Sequence, residues 1–538
     1  MTSANSSAGD AKPALRIAQL EVQIGPRKLC IDRPCHLRAG RLYLLVGRSG
    51  SGKSSFARAL LGFGHLSDPP IHCRGDVEIR DAAGSLYPLW TQDDLDSATR
   101  RQIAFLPQSE RLGFLDGLSL ADNLTLFSQL SERDATEGIA RLAEQFHISP
   151  LPTALASASG GERIRLSAIR GLLPRDSSGR PPAVVIADEP TAGLDPRAAE
   201  SLARTFQELV AGRQAVVIVI THEPELFLED RVDAGWREDP AVQIVECPSP
   251  DDSGDSAPVV IGRLHWVPSP QPRDVSALWV SRAGQWLSRL GAVALAPVAF
   301  VSGLTGLHRP AALLWKVIRD VSGPGTQVFS LVGCLLVAGT VAYFIFERMP
   351  KPELVEPLLL PEIFAVTGHA LVRVVLPLTA CSLVTAKLGA AQAARLAAAV
   401  RGGLLETLAL AGWRVEGFAL LPAVVAQILA MAVATLLALA GGVILAGIVY
   451  VAGHADASLP LAISLLVDGM ESAPTWFQFA TAKVILSGFL GGTIAALSGI
   501  APSRAEDDVA RAVHNTLLWS VLAVIACQCL LVLVEFAK

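Results

Sequence analysis

Leu45-Val-Gly-Arg-Ser-Gly-Ser-Gly-Lys-Ser-Ser55 (LVGRSGSGKSS) fits the pattern G-x-x-x-x-G-K-[ST], with Gly47, Gly52, Lys53 and Ser54 in register. The apolar run Leu42 to Val46 before it has the composition of a buried strand, and Ser54 to Leu61 after it can open a helix, the context this pattern requires. Backbone N–H groups along Gly47, Ser49, Gly50 and Gly52 can then approach a phosphate chain closely, and the first helical turn with Ser55 adds partial positive charge. Lys53 can reach terminal phosphates, and the Ser54 hydroxyl suits Mg2+. A glycine turn met by chance is the competing reading, and the motifs downstream weigh against it.

Val184-Val-Ile-Ala-Asp188-Glu189 is an apolar strand ending in two carboxylates. Asp188 suits Mg2+, directly or through water, and Glu189 suits the orientation and polarisation of an attacking water. Ser159-Gly160-Gly161-Glu162 precedes the helical stretch RIRLSAIRGLL. It reads either as a second phosphate-binding helix N-terminus or as a helix cap.

From Leu15 to about Cys247 short apolar strands alternate with helical stretches, which predicts an α/β domain. Residues 1–13 are polar and small, without the apolar core of a signal peptide, and are read as a disordered N-terminus. The α/β domain is assigned 14–247 and a Pro-, Ser- and Asp-rich linker 248–273, leaving 274–538 for a second domain. The net charge of only -5 gives no sign of nucleic-acid binding. The eight cysteines lack metal-ligand spacing.

The second domain is expected in a membrane, since 51% of the chain is apolar and its mean hydropathy is +0.43. Gln327 to Phe346, Val484 to Ser503 and Asn515 to Val534 are each 20 residues without a charge, enough to cross a bilayer core of about 30 Å as helices. The uncharged run Gly417 to Gly453 predicts a long helix from about 418 to 445 with an extracytoplasmic continuation, and Ile363 to about Thr385 is a fifth span interrupted by Arg373. Gly291 to Leu307 is short, contains Pro297, and is read as an interfacial helix. Starting inside, the five crossings put 386–416 and 504–514 in the cytoplasm and 347–362, 454–478 and the C-terminus outside. The Lys and Arg of 386–416, against their absence from 454–478, agree with that direction.

Taken together, Gly47 to Ser54, Ser159 to Glu162 and DEPTAGLDP resemble the ATPase domain of ABC transporters. The resemblance implies ATP and Mg2+ as cofactors, Gln108 of FLPQ as the coupling glutamine that also joins Ser54 and Asp188 at the metal, Asp195 of AGLDP as the D-loop residue, and His222 of VITHE as the switch histidine at the γ-phosphate. It implies Glu189 and His222 as the catalytic pair. Ala158 and Glu162 depart from the usual LSGGQ, and Ile24 stands where an adenine-stacking aromatic often falls. One copy of each motif makes a half-transporter, and so a homodimer with two nucleotide sites.

Val372 to Leu396 and the stretch around Gly403-Leu-Leu-Glu406 are similar to MlaE-type permeases, with Arg373, Pro377, Lys387 and Gly389 in phase and Val374 and Arg395 departing from the pattern. That likeness implies movement of a phospholipid, sterol or related amphiphile at the bacterial inner membrane with an extracytoplasmic MCE-domain partner. An ABCG-like exporter of hydrophobic drugs or toxins and a mechanical or signalling ATPase are the alternatives. Glu406 is expected on a short cytoplasmic helix facing the Gln108 region, or as a solvated charge. Arg373 either lines a lipid cavity or snorkels to the interface.

Overall fold

In the computed structural model, residues 1–12, 64–70, 175–181, 228–241, 247–263, 269–290, 302–322 and further runs of five residues or fewer lie outside the described structure. The chain folds as two units, residues 1–278 together with 401–413, and residues 279–400 together with 414–538. The stretch assigned to a disordered N-terminus falls outside the described residues, except Pro13.

The first unit contains two main sheets. Strands β1 (Pro13–Ile24), β2 (Arg27–Ile31), β3 (Cys35–Arg38), β5 (His72–Arg80) and β6 (Leu86–Pro88) pair antiparallel. The second sheet is parallel, in the order β12 (Val242–Glu246), β4 (Arg41–Val46), β11 (Val216–Ile220), β10 (Val184–Asp188), β9 (Ile103–Leu106). A small ribbon, β7 (Trp90–Thr91) with β8 (Asp94–Leu95), stands apart from both. The parallel strands are Val-, Ile- and Leu-rich because both faces are covered. Tyr43, Leu45, Val184 and Ile186 enter one core, whereas Leu42, Leu44, Val185 and Ala187 enter the other.

Helices α1 (Lys53–Leu60), α2 (Leu120–Leu124), α3 (Glu132–Gln145), α4 (Gly160–Leu172) and α5 (Pro196–Ala211) complete this unit with α8 (Leu404–Ala411). Part of the predicted linker is structured. Strand β13 (Leu264–Pro268) pairs antiparallel with β2, since its short apolar patch supplies a strand for the free edge of the first sheet.

The second unit is helical, with α6 (Pro324–Glu347), α7 (Pro352–Arg401), α9 (Leu421–Gly453), α10 (Leu459–Glu471), α11 (Trp476–Ile500) and α12 (Glu506–Phe536). Five stretches are long and apolar enough to cross a membrane, namely 324–347, 360–401, 417–453, 476–500 and 509–536. Exposed Val328, Leu336, Leu436, Ile444, Leu530 and Leu533 give them the apolar surface a bilayer requires. Residues 291, 294–299 and 301 of the predicted interfacial helix are helical.

The boundaries differ from the charge-based reading chiefly because helices run past charges expected to end them. The helix containing Arg373 continues to Arg401, with π turns at Ala370–Val375 and Thr385–Gly389, so the first half of the predicted loop 386–416 belongs to it, and α8 lies in the remainder. α11 starts eight residues before Val484, α9 runs to Gly453, and the predicted outer loop 454–478 contains α10. Close packing supports these long helices. A Cβ on Gly488 would lie 2.8 Å from the Ile428 Cα and one on Gly492 2.6 Å from the Val424 Cα, so α11 and α9 meet backbone to backbone through a Gly-x-x-x-Gly face.

Candidate nucleotide site and membrane charge cluster

Four neighbouring parallel strands deliver the site. β4 runs into the phosphate loop, β11 into Thr221 and His222, β10 into Asp188 and Glu189, and β9 into Pro107 and Gln108. Residues far apart in sequence therefore converge at the carboxyl edge of one sheet, where parallel α/β folds bind ligands.

The loop has the backbone its glycines allow. Gly50 has φ +80° and Gly52, the N-cap of α1, has φ +91°, both in the left-handed region that a Cβ would strain. Ser49 is exposed, while Ser54 and Ser55 are half-buried on the first turn of α1. Lys53 is buried and donates to the carbonyls of Gly47 at 2.7 Å and Arg48 at 2.9 Å. The ammonium is thus held at the loop.

Ser54 Oγ donates to Asp188 Oδ1 at 2.9 Å. Burial raises the Asp188 pKa, against the opposing pull of that hydrogen bond and of Arg58. A buried carboxylate beside a hydroxyl is an oxygen donor set for a hard divalent cation, so these residues fit Mg2+.

Glu189 is a focus of contacts. His222 Nε2 lies 2.9 Å from its Oε1, and Gln108 Nε2 donates to its Oε2 at 3.2 Å. Its backbone has φ +47°, unusual for a non-glycine residue, and its N–H is bonded to the Ile220 carbonyl of the neighbouring strand. Strain of this kind is retained where surrounding contacts fix it, commonly at functional sites.

The signature segment caps its helix. Ser159 Oγ accepts from the Glu162 N–H at 3.3 Å, and Glu162 Oε2 accepts from the Ser159 N–H at 2.7 Å and the Ser159 hydroxyl at 2.8 Å. The N–H donation from Ser159 holds the Glu162 carboxyl below the usual carboxylate range. Gly160 and Gly161, following Ser159, open α4. Asp195 stands before α5, accepting from the Ala198 N–H at 3.0 Å and from Arg165 of α4 at 3.2 Å, and its carboxyl is lowered chiefly by the Ala198 N–H.

Glu406 lies on α8 and pairs with Arg58 of α1 at 3.3 Å, with side chains only 10% and 12% exposed. Around them Phe105, Pro107, Phe127, Arg170, Gly403, Thr407 and Leu410 line one small pocket. The segment that follows Gln108 is clasped from two sides. Gly113 N–H donates to the Gly402 carbonyl, and any Cβ at Gly113 would strike Thr407. From α4, buried Arg170 donates to the Gly113 carbonyl at 3.0 Å and to the Leu112 carbonyl, with the Phe114 and Phe127 rings 4.6 and 5.1 Å from its guanidinium. Burial pulls the Arg170 pKa down to about 9. Sequence reasoning missed Arg58 and Arg170. The one available signal was a lone arginine in the apolar run LSAIRGLL.

In the second unit, Arg373 sits on the π turn of α7, near Glu535 of α12 and Lys483 of α11. Neither Lys483 nor Glu535 was anticipated as a site residue.

Residues 33–192 match the family model for ABC transporter, and residues 323–534 match that for Permease MlaE. A lipoprotein-releasing system ATP-binding protein of Novosphingobium aromaticivorans is 31% identical over 230 residues, covering 41% of this chain and 95% of the relative. A methionine import ATP-binding protein of Mesorhizobium japonicum is 28% identical over 42% of this chain and 59% of the relative. An ABC transporter ATP-binding/permease protein of Mycobacterium tuberculosis is 31% identical over 34% of this chain and 20% of its own length. The chain thus spans less than two thirds of the last two. With the phosphate loop, the paired carboxylates and the switch-position histidine gathered at one sheet edge, the chain belongs to the ABC transporters, carrying an ATPase domain followed on the same polypeptide by an MlaE-type permease domain.

Proposed function

We propose that this protein moves a phospholipid or a related lipid across or out of the bacterial inner membrane, driven by ATP, as a homodimer with its ATPase domains in the cytoplasm and an extracytoplasmic MCE-domain protein as partner. The observation that carries the reading is the nucleotide site built at one sheet edge in a chain whose membrane part matches Permease MlaE. The lipoprotein-releasing relative, named for a lipid-bearing cargo, points the same way.

In the proposed cycle, the backbone of Gly47 to Ser54 cradles the phosphates while Lys53, anchored on the loop carbonyls, donates to a phosphate oxygen. Ser54 and Asp188, joined by Gln108, would hold Mg2+, which would supply charge neutralisation at the phosphates. Glu189 orients water and draws its proton, with Gln108 and His222 holding its two oxygens. Ser159 to Glu162 and Asp195 of one protomer close on the nucleotide of the other, and Glu406 passes that movement to the permease through Arg58. Arg373 lines the lipid path.

Purification from the native membrane in mild detergent, with mass spectrometry of accompanying proteins and lipids, tests this function. An MCE-domain protein with bound phospholipid or sterol is expected. A homodimer without either would overturn the lipid reading in favour of a self-contained exporter.

A further inference from the structure

Arg373, Lys483 and Glu535 form a charge cluster inside the membrane-spanning unit whose charges do not balance. Lys483 Nζ donates to Glu535 Oε2 at 2.5 Å and to the Arg373 carbonyl at 2.7 Å. Arg373 Nε lies 3.9 Å from Glu535 Oε1, too far for a hydrogen bond. The side chains are 10%, 1% and 3% exposed for Arg373, Lys483 and Glu535. Gln528 supports the arrangement by donating to Ser487 at 3.0 Å and to the Lys483 carbonyl at 3.4 Å.

The carboxylate is engaged by Lys483, and Arg373 Nε and Nη2 are buried without a hydrogen-bond partner among the described residues. Among the described residues, Glu535 is the one carboxylate within ion-pair distance of either cation. Two cations therefore share one anion. An arginine stays charged in proteins, and a charge left uncompensated in a membrane interior is costly. A phosphate is negatively charged and can accept from two N–H groups on one edge of a guanidinium, so it fits Arg373 Nε and Nη2.

A charged site within the spans suits the head group of an amphiphile rather than its acyl chain. The π turn Ala370–Val375, a distortion frequent at functional sites, carries Arg373.

We infer that Arg373, Lys483 and Glu535 form an anion site that takes the phosphate of an amphiphile head group, with Arg373 as the contact and the Lys483–Glu535 pair setting its charge. This deepens the transport reading and rests on it only for the source of the phosphate. Inorganic phosphate shares the same chemistry.

The test measures binding of dihexanoylphosphatidic acid, dihexanoylglycerol and inorganic phosphate to the detergent-purified full chain. The phosphate-bearing amphiphile should bind about tenfold or more tightly than its phosphate-free counterpart, and Arg373→Gln should erase that preference. Should Arg373→Gln fail to fold, Glu535→Gln serves, because losing the single carboxylate should tighten phosphate binding severalfold. Equal binding of both amphiphiles by the wild type, or an unchanged preference in Arg373→Gln or Glu535→Gln, overturns the site. Inorganic phosphate binding more tightly than the amphiphile overturns the head-group assignment. ATP-driven lipid transfer between vesicles, measured alongside, separates the two ideas. Transfer blind to the head-group phosphate counts against the anion site alone, and loss of transfer with phosphate binding intact counts against the transport reading alone.

Discussion

Arg58 and Glu406 meet at 3.3 Å with both side chains about nine-tenths buried, tying the helix that follows the phosphate loop to a short helix drawn from the middle of the permease sequence. Truncating one partner of such a pair strands the other. Glu406→Ala should destabilise the first unit by about 3 kcal/mol. The Arg58→Glu/Glu406→Arg exchange should recover part of this, and a double-mutant cycle on thermal unfolding reads the recovery directly. Strict additivity of the single changes would remove the pair from the account.

Glu189→Gln should keep nucleotide binding and lower ATP hydrolysis by about 10²–10⁴-fold, because the neutral amide cannot draw a proton from water. His222→Ala should also slow hydrolysis, by releasing one oxygen of that carboxylate. Lys53→Ala should lose nucleotide binding and hydrolysis together. Single-turnover phosphate release separates these patterns, and rapid hydrolysis by Glu189→Gln would assign the water to another residue.

Asp188 carries a pH signature. Its folded-state pKa is raised by burial, so its contribution to stability is present in acid and is lost as pH rises through that raised value. Asp188→Asn should therefore stabilise the nucleotide-free protein at neutral pH, with the gain shrinking as the solution is acidified below the raised pKa. Melting temperatures across that range test the sign. The same substitution should weaken the response to Mg2+.

Arg170→Met should release the Leu112 and Gly113 carbonyls and cost about 2–3 kcal/mol, the scale for buried hydrogen bonds to a charged donor. If α4 communicates with α8 through this arginine, lipid-dependent stimulation of ATPase activity should fall further than basal activity does. Equal losses in both would reduce Arg170 to a structural role.

The nucleotide site was legible because short motifs prescribe local backbone: glycines select left-handed turns, and apolar runs select strands that end where chemistry begins. Their convergence followed from the parallel sheet. The charges gathered by tertiary packing were not legible. Arg58 sits in a helical sequence indistinguishable from a solvated one, Arg170 was marked only by the apolar run around it, and no spacing rule links Arg58 to Glu406 across most of the chain. In the membrane unit, the rule that a charge ends a span set the boundaries at Val484 and Val534, discarding Lys483 and Glu535. The helices run through both positions because the two charges neutralise each other at 2.5 Å. Likewise, the edge of β2 recruited β13 from a stretch whose composition reads as linker.

The polypeptide passes from one unit to the other three times, near residues 278, 400 and 413. α8 is consequently presented to the ATPase core at an effective concentration set by chain connectivity rather than by expression level. A docking surface under that condition can be small and can loosen and re-form without the partners diffusing apart. Fusion also fixes one engine to one permease. Selection on this contact can therefore act on how it responds to movement, free from the demand that it hold two separate molecules together.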